Sequence, residues 1–249
     1  MVCETDREWF KLWFNSPYYH ILYNHRNEVE AQQFLRNLQL ELNIKPKSRI
    51  LDVACGEGRF SRLLSLEGHR VDGIDIAEKN IARAKQFSQR NQCFIQHDMR
   101  KPFPFDPAVF DYAFNFFTSF GYFGTWDEHK KTLDNVSLVL KKGGEFLIDF
   151  MNVEKLSSTI QASETKEING VTFELSRSLS DDEVKKKIRV YPQNQPPLEF
   201  EERVKALTLF DFEKLFSSTS LEIIQVYGDY QLHPFNPESS DRLIIRTKK

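Results

Sequence analysis

Residues 49–60 read RILDVACGEGRF, and the reading of this stretch decides the fold. Residues 49–54 are mostly apolar, with the length and composition of a strand buried on both faces. A turn containing Gly56 and Gly58 follows, after which Phe60, Leu63 and Leu64 recur at the spacing of a helix's buried stripe. A strand that passes through glycines into a helix leaves backbone amides beside a space that no side chain fills. A ligand can approach closely there.

Working outward, Ala31, Phe34, Leu35, Leu38 and Leu42 fall at helical spacing and predict a helix that stops before Lys45–Pro46. Downstream the pattern predicts a strand at 71–76, a helix at 78–88, and strands at 92–96 and 110–116. Leu133, Val136 and Leu140 mark a further helix, ended by Gly143–Gly144 ahead of a fifth strand at 145–150. Strands alternating with helices predict an α/β fold with a doubly wound, mostly parallel sheet. From residue 164 the texture changes, because TFELSRS, VKKKIRVY and EFEERVKALTL alternate apolar and polar residues. This predicts an antiparallel β insertion at 164–208 within a single Rossmann-like domain over 1–249. A helix near 211–218 precedes LEIIQVYGDYQL and DRLIIRTKK, read as an antiparallel pair that closes the sheet.

Lys plus Arg number 34 against 36 for Asp plus Glu, with no long basic block, so the positive field of a nucleic-acid or anionic-membrane binder is missing. Small-molecule partners are favoured, with no nucleic acid and no membrane. Cys3, Cys55 and Cys93 are odd in number and widely spaced, which fits a reducing cytoplasm; no ligand cluster for a metal is visible. The N-terminus lacks the pattern of a signal peptide, and no apolar run reaches the roughly 18 residues of a membrane span. The expected location is cytoplasmic. Apolar faces on the insertion would either pair two subunits into a homodimer or cover the active site.

Asp75 closes the second strand, in VDGIDI, where a carboxylate can accept hydrogen bonds from both hydroxyls of a ribose. The competing reading is that it caps the next helix while the glycines only make a tight turn. A dinucleotide fingerprint asks for G-x-G-x-x-G, whereas here the positions read Ala54, Gly56 and Phe60 or Ser61, with Asp52 in the strand end. A carboxylate there would repel a pyrophosphate and attract an amino acid's ammonium, which favours S-adenosylmethionine over a nicotinamide dinucleotide. Asp98 and Met99 follow the third strand, where a carboxylate can accept from an adenine amino group and a thioether can cover the ring; the competing reading is a helix or turn cap plus a core methionine.

In order, LDVACGEGRF, DGIDIAEKNIARAK, HDMR, FDYAFNFFTSFGYF and LKKGGEFLIDF resemble the class I S-adenosylmethionine-dependent methyltransferases, closely over 49–150 and more loosely at the C-terminal strand pair. The resemblance implies a seven-stranded sheet with an antiparallel last strand and the cofactor across the carboxyl ends of the early strands. It implies that Asp52, Ala54, Gly56 and Gly58 surround the methionine part, Asp75 and Ile76 the ribose and adenine, Asp98 and Met99 the adenine edge, with Phe116 beside the sulfonium. SPYYHILYNHR, residues 16–26, resembles the N-terminal lid of a small-molecule branch that includes amino-sugar N-methyltransferases and the glycine and sarcosine methylating enzymes. By that likeness residues 1–45 form a helical lid, in which Tyr19, Tyr23 and Arg26 close over the cofactor's carboxylate; the competing reading has these aromatics only pack.

Within NFFTSFGYFG, residues 115–124, the resemblance makes Phe116 the cofactor wall and Ser119 to Tyr122 a substrate lip, with Tyr122 as an orienting partner for the acceptor. A tyrosine with its ordinary pKa near 10 is a poor base. The expected activity is methyl transfer from S-adenosylmethionine to a small molecule, N-methylation placed ahead of O-methylation. A nicotinamide-dependent oxidoreductase and a non-catalytic cofactor-binding relative are the alternatives.

Overall fold

The computed structural model describes residues 8–23, 28–160, 162–180, 182–193 and 195–249. Its first half is strand and helix in alternation: β1 (Arg49–Val53), α4 (Arg59–Leu66), β2 (Arg70–Asp75), α5 (Glu78–Gln86), β3 (Gln92–Gln96), β4 (Phe110–Asn115), α6 (Trp126–Val139) and β5 (Leu140–Met151). Among the described residues it is preceded by the helices α1 (Trp9–Phe14), α2 (Pro17–Leu22) and α3 (Glu28–Leu42). After β5 come α7 (Val153–Thr159), the strands β6 (Ser163–Ile168), β7 (Val171–Leu179), β8 (Glu183–Tyr191) and β9 (Leu198–Lys205), then α8 (Leu209–Ser217), β10 (Glu222–Tyr227) and β11 (Arg242–Lys248).

Seven strands form one sheet in the order β10-β11-β5-β4-β1-β2-β3. β1, β2, β3, β4 and β5 run parallel, and β11 lies antiparallel between β5 and β10. The predicted α/β class, the mostly parallel sheet and the antiparallel final strand are all present. β6 to β9 form a separate four-stranded antiparallel sheet.

The strands at the centre are apolar because helices cover both faces. Phe34, Leu35, Leu38, Phe60 and Leu64 pack with Ile50, Tyr112 and Phe114 on one side. Leu133, Val136, Phe212 and Phe216 pack with Leu51, Ala113 and Ile148 on the other. The inner face of the small sheet buries Phe173, Leu175, Ile188 and Val190 against Trp9, Phe10, Trp13 and Leu22. The chain's own N-terminal helices therefore cover that apolar face.

Two local expectations change. Gly143–Gly144 do not end the helix, because α6 stops at Val139 and β5 begins at Leu140. Leu140 pairs with Phe110, and the ladder resumes only at Tyr112 with Glu145, so the glycines sit in a bulged segment. Gly143 has φ +76, and a Cβ on Gly144 would lie 2.9 Å from the Lys141 carbonyl, so the bulge needs glycine. Fourth-strand pairing ends at Asn115, with Phe117 and Thr118 at φ +61 and +56.

Candidate functional site

The carboxyl ends of β1, β2, β4 and β5 open onto one cavity of about 1050 Å³, with α1, α2 and the small sheet across it. Its lining includes Tyr19, Tyr23, Asp52, Ala54, Gly56, Asp75, Ile76, Asp98, Met99, Phe116 and Tyr122. The structure thus brings together residues drawn from five separate stretches of chain. Arg26 lies outside the described residues. Gly58 is not among the lining residues: its φ is +74 and a Cβ there would meet the Phe94 ring at 2.8 Å, so its glycine is required by backbone and packing.

At the β1–α4 turn, Ala54 takes φ +60 and Gly56 φ +56, and nothing lies within 4 Å of a Cβ built on Gly56. The turn is held by Asp75, whose Oδ2 accepts from the Gly56 amide at 2.9 Å and whose Oδ1 accepts from the Ala77 amide at 2.8 Å. Asp75 thus ties local backbone together without capping α5, whose N-cap is Ala77, and the same carboxylate also faces the cavity. Ala77 supplies no side-chain cap to α5. Burial raises the Asp75 pKa, against the hydrogen bonds from Ala77, Gly56 and Asn80. Asn80 lines the cavity beside it, and its buried Oδ1 has no partner among the described residues.

Asp52 is 2% exposed and accepts from the Ser61 hydroxyl at 2.5 Å. Burial pushes its carboxyl up to about 7, the Ser61 bond opposing the rise and the nearby Asp75 charge adding to it. A buried carboxylate poised in this way invites a cationic partner and repels a phosphate. The open turn, the poised Asp52 and the orphaned Asn80 oxygen suit S-adenosylmethionine, which presents an ammonium, ribose hydroxyls and adenine donors.

Asp98 is held by Arg100, which donates to it through Nε at 3.0 Å and Nη2 at 2.7 Å. Burial works to raise the Asp98 pKa, but the Arg100 hydrogen bonds and charge outweigh it and hold the carboxyl below its usual range. Arg100 also reaches Glu8 and Glu128, each at 3.0 Å, tying the residue before α1 to α6. Sequence reasoning quoted Arg100 in HDMR without assigning it this bridging position.

The lid aromatics have partners of their own. Tyr23 donates to Glu202 of β9 at 2.7 Å and accepts from Lys186 of β8 at 2.7 Å, while the Trp13 indole donates to Glu202 at 2.6 Å. Tyr19 packs edge-on against Trp13 and Phe14. His20, which also lines the cavity, pairs through Nδ1 with Glu57 at 2.9 Å, leaving a buried Nε2 without a partner among the described residues.

Phe116 stacks on Phe60 at 4.1 Å and on Phe114 at 5.2 Å, so it belongs to the core and to the cavity wall at once. Tyr122 packs against Trp9 and Phe14, and its hydroxyl donates to the Thr118 carbonyl at 2.5 Å. That proton is committed within the loop. Among the described residues no group of three or more His, Cys, Asp or Glu could hold a metal, and no helix is long and apolar enough to cross a membrane.

A glycine turn, an acid ending β2 and an acid after β3 are set along one edge of a sheet with an antiparallel last strand, the arrangement that the resemblance to class I S-adenosylmethionine-dependent methyltransferases implies. Residues 50–144 match the family described as a methyltransferase domain. Among relatives, a Bacillus subtilis protein designated YqeM and described as a methyltransferase is 34% identical over 126 residues, 50% of this chain and 51% of that one. The 18S rRNA (guanine(1575)-N(7))-methyltransferase of Saccharomyces cerevisiae is 28% identical over 152 residues, 57% of this chain and 54% of that one. The chain spans about half the length of these curated relatives. An S-adenosylmethionine-dependent methyltransferase from Clostridium acetobutylicum shares the fold with a TM-score of 0.78 at 20% identity, over 93% of this chain and 95% of that one.

Proposed function

We propose that the protein transfers a methyl group from S-adenosylmethionine to a small-molecule acceptor, with nitrogen preferred to oxygen as the accepting atom. The observation that carries this reading is the cavity itself. At about 1050 Å³ it slightly exceeds the usual range of about 300–1,000 Å³ for small-ligand sites, leaving room for a second small molecule beside a cofactor. Helices and an inserted sheet stand over it, which suits an enclosed acceptor better than a ribosomal RNA surface. The preference for nitrogen rests on the resemblance of residues 16–26 to the lid of the amino-sugar and glycine branch.

S-adenosylmethionine supplies an electrophilic methyl group on a departing sulfonium. The protein's part is alignment and exclusion of water, and alignment alone can contribute roughly 7–11 kcal/mol. In this reading Asp75 and Ile76 hold the ribose and adenine, Met99 covers the ring, and Asp98 faces the adenine edge. Asp52 meets the ammonium, and Ala54 and Gly56 give their backbone to the methionine part. Phe116 walls the sulfonium, while Tyr19, Tyr23 and residues 8–23 close the site as a lid. Tyr122 shapes the acceptor wall through the Thr118 carbonyl.

The test is incubation with methyl-tritiated S-adenosylmethionine and a panel of small amines and alcohols, with an rRNA helix as a separate arm. Label should enter a small amine. Label confined to RNA would overturn the acceptor class, and tight S-adenosylhomocysteine binding without transfer to any member would leave a non-catalytic relative.

A further inference from the structure

The cavity extends beyond the elements to which the cofactor has been assigned. Asp75 ends β2, whereas Arg242 begins β11, four strand spacings away across β1, β4 and β5, roughly 19 Å. Because β11 is antiparallel, its first residue lies at the same edge as the last residues of its neighbours, and Arg242 pairs with Met151. Both line the cavity, together with Thr118, Ser119, Asn169 and Val204. The end of the cavity opposite the nucleoside site therefore carries a guanidinium.

Arg242 is firmly mounted. Its Nε donates to Asp149 Oδ1 at 2.7 Å, and its Nη2 to the Thr118 hydroxyl at 2.8 Å. The guanidinium carbon lies 5.7 Å from the Phe117 ring centroid and 5.8 Å from that of Tyr230. Asp149, fully buried, also accepts from the Phe117 amide at 2.9 Å and the Tyr230 hydroxyl at 3.1 Å, and its own carbonyl accepts from the Thr118 amide at 2.8 Å. This assembly holds Phe117 and Thr118, two successive non-glycine residues in the left-handed region that L side chains rarely adopt.

An arginine needed only to neutralise Asp149 would turn both nitrogens of one guanidinium edge toward the carboxylate. Here Nε alone reaches Asp149, Nη2 is turned to Thr118, and no partner accepts from Nη1 among the described residues. Nη1 is not among the sealed side-chain atoms without a partner, and the residue itself lines the cavity.

We infer that Arg242 is the acceptor-recognition residue of the proposed methyl transfer, and that the acceptor carries a carboxylate which the cavity-facing Nη edge of Arg242 binds. Asp149 and Thr118 fix that edge, and the strained Phe117–Thr118 turn ties its position to the wall at Phe116. This inference rests on the methyltransferase reading and names the acceptor class within it. The planar fork suits a carboxylate in a way a lysine ammonium does not.

The experiment is calorimetric titration of the S-adenosylhomocysteine-loaded protein with matched acids and amides: glycine and glycinamide, β-alanine and its amide, 4-aminobenzoate and 4-aminobenzamide. At least one acid should bind at least tenfold more tightly than its amide. R242Q should abolish that difference and R242K should retain only part of it, with both variants binding S-adenosylhomocysteine as wild type does to show that they fold. Equal behaviour of every acid and its amide, whether both bind or neither does, overturns the inference; so does an R242Q variant that still discriminates. Failure of the wild type to bind S-adenosylhomocysteine would instead sink the methyltransferase reading on which it rests.

Discussion

Asp52 combines two properties that the sequence could suggest only in part. Its place in LDVA marked it as a carboxylate at a strand end, but its poise depends on burial and on Asp75 nearby, and neither can be read along the chain. With its pKa pushed up to about 7, the carboxyl is mostly protonated at pH 6.5. An ammonium placed beside it would favour the ionised form and expel the proton. Titration of S-adenosylhomocysteine at pH 6.5 in buffers of different ionisation enthalpy should therefore report release of roughly three-quarters of a proton, and D52N should release none. A wild-type titration without proton release would remove Asp52 from the ammonium site. The sign for stability runs the same way: a carboxyl whose folded pKa is raised above its unfolded value near 3.9 stabilises the ligand-free fold while protonated. Its contribution is lost as pH rises from about 4 to about 7. Arg242, by contrast, gave no signal in DRLIIRTKK, where it reads as a polar residue at a strand start. Its partners Asp149 and Thr118 are 93 and 124 residues away in the chain.

At the scale of the element, the β1–α4 turn separates two kinds of glycine requirement. Gly56 is constrained only by its positive φ, while Gly58 has both a positive φ and the Phe94 ring 2.8 Å from any added Cβ. G56A should cost about 1 kcal/mol of stability, from the left-handed backbone alone. G58A should cost about 2–4 kcal/mol, because the overpacking against Phe94 adds to the strain. Chemical denaturation of the ligand-free variants checks the ranking; equal losses would show that the Phe94 contact yields freely. The parallel strands and their helices were legible because hydrophobic period is a local property, and β3 falls on the predicted residues 92–96. The boundary at Gly143–Gly144 was misread because a helix-ending glycine pair and a bulge glycine pair look alike until strand register is known.

For the whole molecule, the mostly parallel sheet with its antiparallel last strand and the position of the insertion were legible in the sequence, whereas the strand order and the contact between lid and insertion were not. Trp13 and Tyr23 meet on Glu202 across 189 and 179 residues of chain, and the Lys186 ammonium, lowered in pKa by burial, completes the cluster. This cluster closes the cavity on the side facing away from the sheet, so N-terminal helices and inserted sheet act as one cover. The nucleoside end at Asp75 and the guanidinium end at Arg242 then lie under that cover at opposite ends of one cavity. The most direct test is a crystal structure of the protein with S-adenosylhomocysteine bound. The account predicts the ribose hydroxyls on Asp75, the amino group at Asp52, the sulfur against Phe116, and open space from there to Arg242. A ribose bound away from Asp75, or an adenosine lying over β5 and β11, would contradict it.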